Sequence, residues 1–183
     1  MSAAGPKSAL RALLRAQRAA HPPVHGAPLS AHLEAVPRWR DAARVAGFVA
    51  VRGELAVTDA LHAARARGAT VALPRVVGRE LVFHLWSGEP LVVGAYGIPE
   101  PAPTLPVVDV ATLDVILVPG VAFTAAGARL GQGGGYYDRV LGARRGLAVG
   151  VGWSFQVVAS VPTDPWDQPV DALVTEAGWV LGG

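Results

Sequence analysis

The sequence predicts an α/β fold, a three-layer sandwich with a central, mainly parallel sheet and helices on both faces. Short, mainly apolar runs of strand length occur at 45–51, 113–118 (broken only by Asp114) and 147–151, the pattern of strands covered on both faces. Stretches of helical character alternate with them, and such alternation builds a parallel sheet sheathed by helices. No linker is long enough to divide the 183 residues, so a single domain over 1–183 is expected.

The elements follow in order. A first helix is expected from about Lys7 to Ala20, rich in Ala, Leu and Arg, and ended by His21-Pro22-Pro23. A loop leads to Leu29, where Ser30 can cap a second helix that Pro37 kinks or interrupts. Val45 to Val51 reads as a strand. Thr58 can cap a helix through Arg67, stopped by Gly68. Thr70 to Leu73 and Leu81 to Trp86 read as strands, and Gly97 to Pro103 as a stiff connector. Leu113 to Val118 suits a central strand. After a long glycine-rich loop, a helix begins near Tyr136, and Leu147 to Val151 and Ala172 to Val174 close the series.

Composition narrows the function. Hydrophobic residues make up 51% and charged residues 16%, which favours a packed core over disorder. Sixteen Lys and Arg against fourteen Asp and Glu leave a net charge of +2 with no dense basic run, so no nucleic-acid partner is expected. The longest uncharged stretch, 146–163, carries glycines, serines, a glutamine and a proline. It reads as a strand and its sequel, and no membrane association is expected. The chain has no cysteine, which excludes thiolate metal sites and suits a reducing cytoplasm. A monomer is expected.

The informative stretch runs from Leu117 to Arg139, beyond the C-terminal end of the apolar strand, where open α/β sheets bind ligands. Gly131, Gly133, Gly134 and Gly135 fall within five positions and leave main-chain amides unobstructed. Running into a helix start, such a loop is suited to anions, because the amides and the helix dipole both favour negative charge. Arg129 adds a forked cation. Neither a Walker A lysine nor the Rossmann glycine spacing is present. A glycine-rich turn alone is also compatible with a plain tight turn before a helix. Tyr136-Tyr137-Asp138 sharpens the reading: two aromatics suit a flat heterocycle, and a carboxylate suits a phosphate-bound Mg²⁺.

Pro119-Gly120-Val121-Ala122-Phe123, Gly127, Arg129-Leu130-Gly131 and the run from Gly133 to Asp138 together resemble the signature of the 5-formyltetrahydrofolate cyclo-ligase family, also called methenyltetrahydrofolate synthetases. Weaker similarity covers most of the chain: Lys7 to Arg11, Glu54 before Thr58, Pro74-Arg75-Val76, Gly97-Ile98 with Glu100-Pro101, Gln156, Pro162, Asp167 and Asp171 stand in the family's order. The resemblance implies ATP-dependent closure of 5-formyltetrahydrofolate to 5,10-methenyltetrahydrofolate, with ADP and phosphate released through a phosphorylated formyl intermediate. It implies ATP as co-substrate and Mg²⁺ as cofactor. Lys7, Arg11, Arg129, Gly131, Gln132, Gly133, Gly134, Gly135, Tyr136 and Tyr137 would hold ATP. Glu54 would bind the pterin, with Gly134, Gly135, Tyr136 and Tyr137 facing the folate. Asp138 and Asp167 would bind the metal, and Arg129 and Tyr136 would serve the chemistry. A related enzyme acting on another heterocycle, or a non-catalytic nucleotide-binding module, would share much of this signature.

Other residues carry less. Lys7 and Arg11, four apart on one helix face, are also compatible with a solvated surface, and Asp167 with a turn. His21 and His25 are four apart, but Pro22 and Pro23 prevent the regular helix that would aim both at one metal. His32, His62 and His84 are isolated. Trp86 and Trp153 are candidates to border the folate site. Phe155 stands where many relatives carry a polar or acidic residue, which bears on the substrate pocket.

Overall fold

The computed structural model describes residues 5–21 and 29–180. Helix α1 (Pro6–Ala20) starts one residue before its expected position, with Gly5 as cap and Pro6 in the first turn, where a missing N–H costs nothing. It ends at Ala20 with His21 as its C-cap; Pro22, Pro23 and His25 lie outside the described residues. Helix α2 (Leu29–Leu33) is a short turn beginning at Leu29. It stops well before Pro37, and the turns that follow carry Val36 and Trp39 into the core. Strand β1 (Arg44–Ala46) is shorter than its apolar run. The chain leaves the sheet after Gly47, whose amide donates to Ala72 O at 3.0 Å.

Helix α3 (Thr58–Ala66) takes Val57 as its N-cap and uses no side-chain cap. Thr58 is thus the first helical residue and not the expected capping group. Strand β2 (Thr70–Val77) continues past Leu73 and forms a hairpin with β3 (Glu80–Leu85), pairing Pro74 with Phe83. Proline is tolerated there because pairing with β1 ends at Ala72, so no neighbour on that side needs its missing donor. A ribbon of β4 (Val92–Val93) and β5 (Pro99–Glu100) and a short β6 (Val107–Val108) follow. Next come β7 (Val115–Pro119), a second ribbon of β8 (Ala122–Phe123) and β9 (Arg129–Leu130), and helix α4 (Tyr136–Ala143). Strands β10 (Leu147–Val151), β11 (Ala172–Thr175) and β12 (Gly178–Val180) complete the chain.

The main sheet has the order β12-β11-β10-β7-β1-β2-β3-β6. The five strands from β11 to β2 are parallel; β12 and β3 join their neighbours antiparallel. Side chains alternate across the sheet as the pleat requires. In β7, Val115 and Leu117 pack with α2 and α3, while Ile116 and Val118 pack with α4. The three-layer expectation therefore holds, and both apolar faces are covered. At about 1.5–3 kcal/mol for each fully buried aliphatic side chain, these two layers supply most of the driving force. A third, smaller cluster joins Leu14 of α1 to Val121, Ala122 and Leu130. It lays α1 across the β8–β9 ribbon, beside the glycine loop.

Candidate active site

The parallel strands end on one side of the sheet, and a cavity of about 980 Å³ opens there. Phe48, Val49 and Val51 after β1, Pro74 and Val76 of β2, and Pro119 of β7 give it an apolar side. The early exit of β1 thus has a use, since Phe48 and Val49 serve the cavity wall. Lys7, Arg11, Glu54, Arg129, residues 131–135, Tyr136, Tyr137, Asp138 and Asp167 all line this same cavity.

The glycine loop is shaped for close approach. Gly133 (φ 108°) and Gly135 (φ 65°) occupy the left-handed region that side chains resist. Gly135 caps α4 without any side-chain hydrogen bond, so the first-turn amides are left for a ligand. From the other side, Arg11 Nε donates to Gly131 O at 2.8 Å and Arg15 Nη2 to Gln132 O at 3.0 Å. In a trans peptide the N–H opposes the C=O. The amides of Gln132 and Gly133 therefore point away from these arginines.

Charged groups fix the remaining walls. Arg129 is only 4% exposed; its Nη2 donates to Asp138 Oδ1 at 2.7 Å, and its buried Nε has no protein partner. Lys7 Nζ donates to Asp164 Oδ2 at 2.6 Å and also to Asp167 Oδ2. Burial opposes ionisation of Asp167, but hydrogen bonds from Lys7 and the Asp164 amide outweigh it and lower its pKa. Glu54 shows the opposite balance. Burial pushes its carboxyl up, and the Val51 amide, Arg18 and Gln132 only partly offset this. Burial, reinforced by the Glu54 charge, also lifts the Tyr137 phenol well above its ordinary range. That hydroxyl is buried and without a partner. At the rim, the Tyr96 and Tyr136 hydroxyls meet at 3.0 Å, and Arg139 lies 5.3 Å over the Tyr136 ring. The arrangement can neutralise a polyanion at one end and enclose a flat, mostly apolar group at the other.

Comparison with known proteins is decisive about kinship. The profile of the 5-formyltetrahydrofolate cyclo-ligase family matches residues 4–176. The chain belongs to the 5-formyltetrahydrofolate cyclo-ligase family. It is 34% identical over 139 residues to the 5-formyltetrahydrofolate cyclo-ligase of Escherichia coli K12, covering 72% of this chain and 76% of that one. Over 183 residues it is 31% identical to the enzyme of that name from Mycolicibacterium smegmatis, covering 92% and 93%. The solved structure of Aquifex aeolicus 5,10-methenyltetrahydrofolate synthetase superposes with a TM-score of 0.83 at 37% identity, covering 96% of this chain and 92% of that one.

Around this cavity the structure brings in residues whose types alone did not single them out. Arg15 and Arg18 continue the spacing of Lys7 and Arg11 along α1, so extending that stripe would have found them. Asp164 lies three residues before Asp167 and shares its lysine. Glu100, 2% exposed, accepts from the Val76 amide at 3.3 Å and meets Arg75 at 3.4 Å. Trp86 and Trp153 are core residues, and the tryptophan on the cavity is Trp166, 67% exposed. Phe155 packs against the core and does not line the cavity. The described histidines stack on aromatics or bond main-chain carbonyls. Asp171 accepts from the Ala148 amide and pairs with Arg144, away from the cavity. Gln156 ties Trp153, Gly120 and Val121 together as a buried brace.

The carboxylates fit Mg²⁺ in kind. Among the described residues, Asp138 uses only Oδ1 in protein hydrogen bonds, and Asp164 and Asp167 only Oδ2. Each has a second, hard oxygen without a protein hydrogen bond, and all three residues line the cavity. No group of three or more His, Cys, Asp or Glu among the described residues could cage a metal. Mg²⁺ takes one or two carboxylates and completes its shell with water and phosphate oxygens.

Proposed function

We propose that this chain is an ATP- and Mg²⁺-dependent 5-formyltetrahydrofolate cyclo-ligase, acting as a monomeric, single-domain cytoplasmic enzyme without nucleic-acid or membrane partners. No described helix is long and apolar enough to cross a membrane. One observation carries the reading: an amide-lined glycine loop, flanked by Arg129, Arg11 and Lys7, shares one cavity with an apolar compartment beside Glu54.

The chemistry explains why both compartments are needed. The formyl group on N5 is an amide, and resonance makes its carbon a poor electrophile. Attack of the formyl oxygen on the γ-phosphorus of ATP releases ADP and leaves phosphate bonded to that oxygen. N10 then attacks the activated carbon and loses its proton. Phosphate departs with the C–O bond pair, leaving the methenyl bridge. Charge develops on phosphoryl oxygens throughout, so the protein's part is positioning and neutralisation. Loop amides and the α4 N-terminus receive the phosphates, and Arg129 presents its unpartnered donors to them. Tyr136 and Tyr137 separate this end from the folate, and Glu54 accepts from the pterin's N–H groups. Mg²⁺, held by Asp138 and Asp167 when bound, supplies further charge neutralisation on the phosphates. No protein nucleophile is required, in keeping with a chain that has no cysteine.

The test mixes purified protein, ATP, Mg²⁺ and 5-formyltetrahydrofolate and follows the near-ultraviolet absorbance of the methenyl product. Product is expected only with all components, and chelation of Mg²⁺ should stop it. ATP hydrolysis without product, or product without ATP, overturns the proposal.

A further inference from the structure

Glu54 and the glycine loop belong to different walls of the cavity, 78 residues apart in sequence at their point of contact. One side chain joins them. Gln132 Nε2 donates to Glu54 Oε1 at 3.2 Å, while Gln132 Oε1 accepts from Arg15 Nη2 at 2.8 Å and from Arg15 Nε at 3.1 Å. The two ends of the carboxamide are thus used in opposite senses. Its oxygen faces a guanidinium and its nitrogen a carboxylate, which sets which way round the carboxamide bridges them. The main chain of Gln132 is held as well, by Arg15 Nη2 on its carbonyl at 3.0 Å.

Behind Glu54 the connection returns to the same helix. Arg18 is 4% exposed, and its Nη1 lies 3.7 Å from the same Oε1 that Gln132 approaches. That Nη1 has no hydrogen-bond partner, so Arg18 acts on Glu54 through charge at longer range. Glu54 Oε2 accepts from the Val51 amide at 3.2 Å. The carboxylate is therefore held at three corners: by its own turn, by α1, and by the glycine loop. The third corner is the one made by the phosphate-binding loop itself.

We propose that Gln132 is a positioning residue that couples the two ligand compartments, so that filling the phosphate cradle orients Glu54 for the second substrate, and the reverse. This rests on the function proposed above. The physical basis is ordering. Residues 132–134 are exposed, and Gly133 has positive φ. A polyanion on the loop amides fixes this segment and with it the Gln132 side chain. A heterocycle on Glu54 fixes the same side chain from the other end. Whichever ligand arrives second finds part of the ordering cost already met, which is positive cooperativity. Coupling of this kind is reciprocal, typically about 5- to 150-fold in affinity.

The test measures the Kd of the non-hydrolysable β,γ-imido analogue of ATP with Mg²⁺ by calorimetry, with and without saturating 5-formyltetrahydrofolate. It uses the full chain and the variants Gln132→Leu and Gln132→Glu. The wild type should bind the analogue at least about 5-fold more tightly when the folate is present. Gln132→Leu removes both side-chain bonds. Gln132→Glu keeps an acceptor for Arg15 but turns the Glu54 side of the bridge from donor to repelling oxygen. In both variants the ratio of the two Kd values should fall below about 2. General damage to the loop weakens both measurements alike and leaves the ratio unchanged, so the ratio reports coupling and not folding. A wild-type ratio near one, or variants that keep the wild-type ratio, overturns the coupling while leaving the assigned activity standing. A wild-type chain that binds neither ligand overturns the assigned activity, and the coupling with it.

Discussion

Replacing Arg129 by Met tests whether its pair with Asp138 is a fold element or part of the chemistry. The guanidinium is 4% exposed and 2.7 Å from the carboxylate. Removing one partner of a fully buried pair costs about 3–5 kcal/mol, because the other charge is stranded. The Asp138 side chain keeps 20% exposure and a 3.2 Å bond from the Gln168 amide, which places the loss at about 2–3 kcal/mol. For a chain of this size that lowers Tm by about 4–12 °C. Catalysis should suffer more: losing one donor aimed at developing charge lowers kcat by about 10²–10³. The double variant Arg129→Met with Asp138→Asn removes the stranded charge and should recover stability to within about 1 kcal/mol of wild type. It should not recover turnover. Thermal unfolding followed by circular dichroism and the methenyl assay read the two effects separately. If turnover returns with stability in the double variant, the pair is structural and the assigned role of Arg129 fails.

Further expectations follow from the same geometry. A Cβ at Gly146 would overlap the Leu113 carbonyl and lie 2.5 Å from that of Asp114, where β10 enters the sheet beside β7 at the end opposite the cavity. Gly146→Ala should cost about 3 kcal/mol with KM values retained in the folded fraction, as a melt and a steady-state assay would show. Glu54 has a folded pKa raised above its ordinary 4.5 by burial. The folded state thus binds its proton more tightly than the unfolded chain, and that stabilisation is present below pH 4.5 and lost as pH rises through the folded pKa. Relative to wild type, Glu54→Gln should gain stability as pH climbs from about 4 to 7, checked by urea unfolding across that range; a flat difference refutes it.

What the sequence made legible is what neighbouring residues decide together. The run at 113–118, past Asp114, and the run at 147–151 are apolar on both faces because helices cover both faces, and they form β7 and β10 almost where expected. The run at 45–51 misleads for a physical reason: its first residues are apolar for the sheet, while Phe48 and Val49 are apolar for the cavity. Thr58 resembles a cap, but Val57 takes that position. In the site, the glycine loop and the α4 start are local in sequence and could be read as an anion cradle. Arg15, Arg18 and Asp164 gain meaning only from partners far along the chain, such as Gln132 at a separation of 117 and Lys7 at 157. Their residue types alone predict solvated surface.

Those long separations converge on α1, which suggests how the site can fail without the fold failing. Lys7 holds the 164–167 turn, Arg11 and Arg15 hold the glycine loop, and Arg18 faces Glu54. One helix therefore clasps three walls of the cavity. Yet it contributes no strand, and only Leu14 and Arg18 of its residues are buried. Leu14 is 3% exposed and docks α1 on Val121, Ala122 and Leu130. A core Leu→Ala change costs about 2–5 kcal/mol. If α1 unfolded only with the rest of the molecule, Leu14→Ala would lower Tm by about 4–20 °C. A helix docked this lightly should instead open on its own, as low-stability segments do. Leu14→Ala should then raise the KM for ATP about tenfold, equivalent to about 1.4 kcal/mol, while Tm moves by less than about 4 °C. A full Tm loss with an unchanged KM would show that α1 is an integral part of the cooperative unit, and that the clasp does not open independently.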